Sequence, residues 1–359
     1  MGKSITRLVL GFSALLWLTG GVAFAQGEIT LQPNAPDRYT VQKGDTLWGI
    51  ASRFLKDPWR WPEVWRLNEQ QIRNPHRIYP GEVIVLERGA TPPRLALEAP
   101  NTVKVSPRIY SEPIPAEAIP AIPAKVIEPF LTRPLVIEAG GLDRAPRIVA
   151  TEENRMHLGP GGIAYVSGTA GSKQPTWQIF RPGSPLVDPD TGFALGIEAV
   201  YLGIGNIVRD GDPATMQIVS ANQEIATGDR LIALSAPTVN EYVPRAPRAN
   251  VTARVISLYN SLPTSEGGPS SVVALNKGRR DGLENGYVLA LYRTGATVLP
   301  KADPMYSGST SEDAPPAAIK LPDERYGLVF VFRTFDSVSY ALVMESSRPV
   351  SPGDRVQTP

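Results

Sequence analysis

The chain has 359 residues, with 36 basic and 35 acidic side chains, 42% hydrophobic residues and no cysteine. The near-neutral balance argues against nucleic acid or an anionic membrane as an electrostatic partner. The missing thiols exclude disulfides, a lipid-bearing cysteine and cysteine-dependent catalysis. The length predicts two or three domains rather than one.

Residues 1–25 carry Lys3 and Arg7, an apolar run from Leu8 to Leu18 and the small-x-small triplet Ala23-Phe24-Ala25. That order predicts a secretory signal peptide, and the apolar run is short for a membrane span of roughly 20 residues. Cleavage before Gln26 takes the 36 basic residues to 34 against 35 acidic and leaves no predicted membrane span. Residues 26–38 form a polar lead-in.

Tyr39 to Leu86 is the most patterned stretch. Tyr39-Thr40-Val41 predicts a short strand ending at Lys43-Gly44-Asp45, where glycine permits a tight turn. Asp45 or Thr46 is placed to cap a helix over 46–55, whose apolar Leu47, Ile50, Ala51 and Phe54 fall at i, i+3, i+4 and i+7. Asp57-Pro58 stops it, and Pro62 opens a second helix over 62–68 with Val64, Trp65 and Leu67 available to pack. Asn74-Pro75 and Pro80-Gly81 mark turns, and residues 82–86 predict a closing strand.

This strand, helix, helix, strand order, with Tyr39-Thr-Val-Gln-Lys-Gly-Asp-Thr-Leu47 at its start and Ile78-Tyr-Pro-Gly81 near its end, resembles the lysin motif (LysM). LysM is a small βααβ module that binds N-acetylglucosamine-containing glycans. The resemblance places the domain at 39–87. It implies a shallow sugar groove between two loops, formed here by Gly44, Asp45, Thr46, Leu47 and Trp48 on one side and Ile78, Tyr79, Pro80 and Gly81 on the other. Exposed backbone groups at the glycines suit an acetamido group, and an apolar or aromatic face suits its methyl and the ring. The middle departs from the usual pattern, with Pro58-Trp59-Arg60-Trp61-Pro62, Trp65 and an extra segment from Gln70 to Arg77. In so small a module Trp61 and Trp65 are expected to be structural, Trp59 to be partly exposed and His76 to be a surface residue.

Residues 88–134 read as a proline-rich linker, with ten prolines between Thr91 and Pro134 that forbid a long helix and favour extended geometry. Val103-Lys-Val105 and Val126-Ile127 are candidates for short strands docking onto the next domain. From about Leu135 short apolar runs alternate with Gly, Pro, Asp and Asn, the pattern of a mostly β region. It contains an internal repeat. Arg147-Ile-Val149 and Gly161–Val166 correspond to Arg254-Val-Ile256 and Ser270–Leu275, and Trp177–Arg181 corresponds to Tyr287–Arg293. Leu195–Ile204 with Met216–Val219 corresponds to Tyr326–Phe332 with Ser339–Met344. Both copies close on Gly-Asp-Arg, at 228–230 and 353–355. A first β-rich domain is therefore expected at 135–240 and a related second one at 241–359. Asp281-Gly282 and Asn285-Gly286 predict tight turns that set Val272–Leu275 beside Val288–Leu291. Residues 299–322 predict a long flexible insertion, and Asp188-Pro-Asp190-Thr-Gly192 a hairpin turn rather than a calcium loop. Arg279 and Arg280 read as a solvated turn.

The fold class is thus α+β: a small βααβ module, a proline-rich linker and a duplicated, mostly β half. His76 and His157 are too far apart in the chain to predict a metal site, and neither Ser-x-x-Lys nor Gly-x-Ser-x-Gly occurs. The expected function is non-catalytic binding of peptidoglycan in the periplasm or cell wall, with no metal, cofactor or catalytic residue. The alternatives are a cell-wall glycosidase using acidic residues of the β half, and an adaptor whose main partner is another envelope protein.

Overall fold

The computed structural model describes residues 28–66, 78–90, 92–98, 120–122, 127–128, 130–131, 133, 136–137, 141 and 145–234, and then 243–259, 265–298 and 318–359. The expected signal peptide, His76, the 70–77 segment, Val103–Val105, most of the 299–322 insertion and the side chain of Trp65 lie outside the described residues.

The N-terminal module is built on β1 (Arg38–Thr40), α1 (Leu47–Phe54), α2 (Trp61–Arg66), β2 (Val83–Glu87) and β3 (Arg94–Leu97). β1 pairs antiparallel with β2 through Tyr39 opposite Ile84, and β2 pairs antiparallel with β3 through Ile84 opposite Leu97. α1 starts where expected because Thr46, in extended geometry, accepts the Gly49 N–H on its hydroxyl. Its Leu47, Ile50, Ala51 and Phe54 are buried with Trp61, Val64, Ile78, Ile84 and Leu95 in one core. Trp61 is fully buried, as so small a core requires. A 3₁₀ turn over Pro58–Arg60 joins the helices.

Two segments outside the 39–87 span complete the module. The lead-in is not a free tail: Gln32 N–H donates to the Phe54 carbonyl, Lys56 N–H donates to Thr30, and Ile29 and Leu31 pack on the core. Nor does the linker begin at residue 88, since β3 hydrogen-bonds along β2 and buries Leu95. A three-residue β1 leaves one edge of β2 and one side of the core uncovered, which β3 and the lead-in supply.

The rest is mostly β. β4 (Val136–Ile137) precedes β5 (Arg147–Thr151), β6 (Ile163–Ser167), β7 (Thr176–Val187), β8 (Ala194–Arg209), β9 (Ala214–Ala221) and β10 (Arg230–Ala233). The sheet runs β4-β8-β7-β10-β5-β6-β9, and a further β8–β9 pairing closes six of its strands into a ring with β4 outside. A closed barrel follows, made of β11 (Thr252–Leu258), β12 (Val272–Leu275), β13 (Val288–Arg293), β16 (Glu324–Thr334), β17 (Ser339–Ser346) and β18 (Arg355–Gln357). Between β13 and β16, β14 (Thr297–Val298) pairs with β15 (Ile319–Lys320). Closure leaves neither ring an open edge. The first ring runs β5-β6-β9-β8-β7-β10, and the second runs β11-β12-β17-β16-β13-β18, the same permutation.

The ring order corrects one expectation. β12 does not lie beside β13: it pairs with β11 and β17, while β13 pairs with β16 and β18. The two strands stand on opposite sides of the barrel. Residues 276–287 are too long for a tight hairpin, so their Asp-Gly and Asn-Gly steps turn a chain that crosses the barrel end. Leu283 and Tyr287 on this crossing point into the barrel core.

The second barrel is apolar on both faces of four strands. Along β16, Val329 and Val331 join the interior while Leu328, Phe330 and Phe332 belong to an outer cluster with Val272, Ala274, Val288, Ala290, Tyr340 and Leu342. Trp48 of the module covers that outer face, with Ile122 and Ile127 of the proline-rich stretch and Leu186 from the end of β7. Ile127 docks from a helical turn rather than a strand, and mainly on the second barrel rather than on the domain that follows it in the chain.

The hairpin turn after β7 joins the two barrels. Asp188 Oδ1 accepts from Asn276 Nδ2 at 2.7 Å, and Asp190 pairs with Arg254 at 2.5 Å. Burial raises the Asp188 pKa, but hydrogen bonds from Asn276, the Asp190 N–H and Thr191 outweigh it and hold the carboxyl below its ordinary value.

Candidate functional site

The antiparallel pairing of β1 with β2 places the end of β1 next to the start of β2, so the loop leaving one lies alongside the loop entering the other. Two backbone bonds fasten them: Gly81 N–H donates to the Val41 carbonyl at 2.8 Å, and Val41 N–H donates to the Glu82 carbonyl at 2.9 Å. Gly44 and Gly81, one in each loop, have φ of +98° and +100°. A side chain would strain the backbone at both positions.

Each loop is also held by its own carboxylate. Asp45 Oδ2 accepts the Gln42 N–H at 2.8 Å and the Tyr39 hydroxyl at 2.9 Å. Burial and this bond raise the Tyr39 pKa, against the Arg53 guanidinium 4.6 Å from the ring centroid. Glu82 Oε2 accepts the Tyr79 N–H at 2.9 Å.

The nine residues expected at the groove divide into two groups. Gly44 and Gly81 are exposed, and Asp45, Thr46, Tyr79 and Pro80 are partly exposed; these six form the accessible rim. Leu47 and Ile78 are fully buried in the module core, where they set the loop positions from beneath. Trp48 is 4% exposed and faces the second barrel, its indole Nε1 donating to Glu345 Oε1 at 3.1 Å. Trp59 is half-buried against the same outer cluster, and Asp57 pairs with Arg325 of β16 at 2.7 Å.

Two residues that the sequence did not single out meet the start of α1. The first-turn N–H groups of α1 at Leu47 and Trp48 donate to the carbonyls of Pro120 and Ala121, both at 3.0 Å. With Gly49 bonded to Thr46, the first three amides of the helix are satisfied. A carbonyl acceptor leaves no mark in a side-chain pattern, so nothing in the proline-rich composition pointed to these positions.

Comparison with known proteins agrees with the geometry. Residues 39–87 match the LysM domain family. A segment of 58 residues is 41% identical to the Bacillus subtilis (strain 168) protein named Uncharacterized protein YqbP, covering 14% of this chain and 26% of that protein. The matched segment is thus about a quarter of the relative's length. LysM domains bind N-acetylglucosamine glycans of the peptidoglycan and chitin type and occur in proteins associated with the cell wall or envelope. Among the described residues no helix is long and apolar enough to cross a membrane. Residues 39–87 are a LysM domain.

Proposed function

We propose that this chain is an exported, non-catalytic peptidoglycan-binding protein of the periplasm or cell wall. Its LysM groove holds a glycan, and its β half carries contacts with other envelope components. The observation that carries the reading is the side-by-side placement of loops 44–48 and 78–81 by the β1–β2 ladder. Gly44, Asp45, Thr46, Tyr79, Pro80 and Gly81 then offer backbone polar groups and a tyrosine ring to an acetamido sugar. One shallow site of this kind binds in the micromolar to millimolar range, about −8 to −4 kcal/mol. Rebinding along a polymeric glycan strengthens retention.

The signal-like residues 1–25 support export, and the proline-rich 88–134 stretch, less its first strand, joins module to barrels. The two barrels are read as products of duplication. The recurring phrases support this, because they fall on strands with equivalent places in the two rings. At both Gly-Asp-Arg closures the aspartate carbonyl accepts from the opening strand, Asp229 from Ile148 N–H and Asp354 from Val255 N–H.

The test is incubation of the mature chain with purified, labelled sacculi. Pelleting without release of muropeptides, weakened in a Thr46→Ala/Tyr79→Ala double variant whose barrels stay folded, is the expected result. Unchanged pelleting of the double variant would remove the assigned groove, and released muropeptides would make the protein a glycosidase.

A further inference from the structure

Two backbone donors beside the groove proposed above are taken by the chain itself. Pro120 and Ala121 present their carbonyls to the Leu47 and Trp48 N–H groups at 3.0 Å, at the N-terminus of the eight-residue helix α1. These are amide acceptors on helix donors, the chemistry that the acetamido carbonyl of the sugar would bring. Ala121 packs on the module core, and Ile122, 3% exposed, is anchored in the outer cluster of the second barrel beside Trp48. The same cluster turns the Trp48 indole away from the groove and onto Glu345. Asp57 with Arg325 adds an ion pair across the junction.

We infer that residues 120–122 are an internal competitor for the glycan: a strap that closes the LysM groove and clamps the module on the second barrel until ligand displaces it. This rests on the reading of loops 44–48 and 78–81 as the sugar site. Strap and sugar exclude one another because both need the Leu47 and Trp48 donors. Binding is therefore coupled to release of the module from the barrel, and the coupling is reciprocal. A groove closed nine-tenths of the time loses about tenfold in apparent affinity. In the open form Trp48 is free to stack on a sugar ring, so one movement both uncovers the donors and delivers the aromatic face.

The chain has no cysteine, so a single introduced thiol reports strap opening without background. In the mature chain carrying Ile122→Cys, chitotetraose is expected to raise the thiol-labelling rate several-fold, with a midpoint equal to its binding midpoint. In Ile122→Asp, hydrogen exchange at the Leu47 and Trp48 amides is expected to rise. The Ile50 amide, bonded within the helix to Thr46, is expected to stay protected, and chitotetraose to bind about tenfold tighter by calorimetry. Should Ile122→Asp misfold, replacement of 120–122 by Gly-Ser-Gly at constant length supplies the same readings. Sugar binding with no change in labelling, or amide exposure with unchanged affinity, overturns the strap while leaving the groove intact. Amides that stay protected in both opened variants overturn it as well. If neither the native nor the opened chain binds chitotetraose, the groove assignment itself has failed, and the strap falls with it.

Discussion

The indole of Trp48 and the carboxylate of Glu345, 297 residues apart in the chain, meet at 3.1 Å where the LysM domain rests on the second barrel. Trp48 stands in the first turn of α1, at the end of loop 44–48, and Glu345 near the end of β17. The outer cluster around them makes packing, not the single hydrogen bond, the main cohesive effect. Burying an aromatic side chain removes about 200 Å² from water, an upper limit of roughly 5 kcal/mol against about 1 kcal/mol for the hydrogen bond. Trp48→Ala should therefore weaken the junction by about 3–5 kcal/mol, whereas Trp48→Phe, which keeps most of the apolar area, should cost about 1–2 kcal/mol. Equilibrium denaturation separates the two. Equal losses would show that the hydrogen bond dominates.

The acidity of Glu345 adds a pH dependence to this junction. Burial raises its pKa above the ordinary 4.5, against the opposing effects of the Trp48 bond and Arg325, while Asp57 reinforces the rise. A carboxyl whose pKa is higher when docked than when free favours docking in its protonated form. That contribution is complete below pH 4.5 and is lost as pH rises through the elevated value. Thiol labelling of the Ile122→Cys chain should speed up across that window, and Glu345→Gln should flatten the profile. A native profile as flat as that of Glu345→Gln would rule out this carboxyl as the titrating group.

At Thr46 the helix cap and the expected sugar contact fall on one side chain. Thr46→Ala removes the acceptor for Gly49 N–H and should cost about 1 kcal/mol of stability. Thr46→Ser keeps the cap and should cost only a few tenths. If Thr46→Ser binds chitotetraose as the native chain does while Thr46→Ala loses both stability and binding, the hydroxyl serves both roles. Unimpaired binding by a folded Thr46→Ala chain would confine Thr46 to capping.

In the second barrel, Asp354 Oδ2 accepts the Tyr326 hydroxyl at 2.6 Å and the Ser351 N–H at 2.7 Å. Burial, aided by the Asp354 carboxylate, raises the Tyr326 pKa far above its ordinary value, so the phenol remains a donor at neutral pH. Asp354→Ala leaves two donors short of an acceptor and should destabilise by about 2–4 kcal/mol, against about 1 kcal/mol for Tyr326→Phe. Thermal unfolding of the two variants gives the comparison, and a milder Asp354→Ala would show that water replaces the carboxylate.

Much of this architecture was legible locally. The spacing of Leu47, Ile50, Ala51 and Phe54 placed α1 to within a residue, because helix periodicity and capping are properties of neighbouring positions. The hairpins β8–β9 and β16–β17 were readable for the same reason: short connections leave adjacent strands little choice of partner. β12 and β13 misled because Asp281-Gly282 and Asn285-Gly286 carry turn chemistry wherever the chain goes next, and only barrel closure sends β13 to the far side. The seat of Trp48 on the barrel was hidden for a different reason. The runs Val272–Leu275, Val288–Leu291 and Leu328–Phe332 are apolar at consecutive positions, which in a strand means burial on both faces. Only the folded barrel shows that such runs need a cover, and that the cover includes Trp48.

By itself the sequence determined the LysM domain, its turn glycines and the mostly β character of the described residues after 135, since these depend on interactions within a few residues or across one hairpin. The tertiary structure alone decided the ring order of the strands, the addition of β3 and the lead-in to the module, the seat of Trp48 on the second barrel and that of residues 120–122 at the start of α1. Those outcomes turn on which apolar faces and backbone donors find each other across hundreds of residues. Such a choice is settled by the burial and hydrogen bonding of the whole assembly rather than by any local pattern.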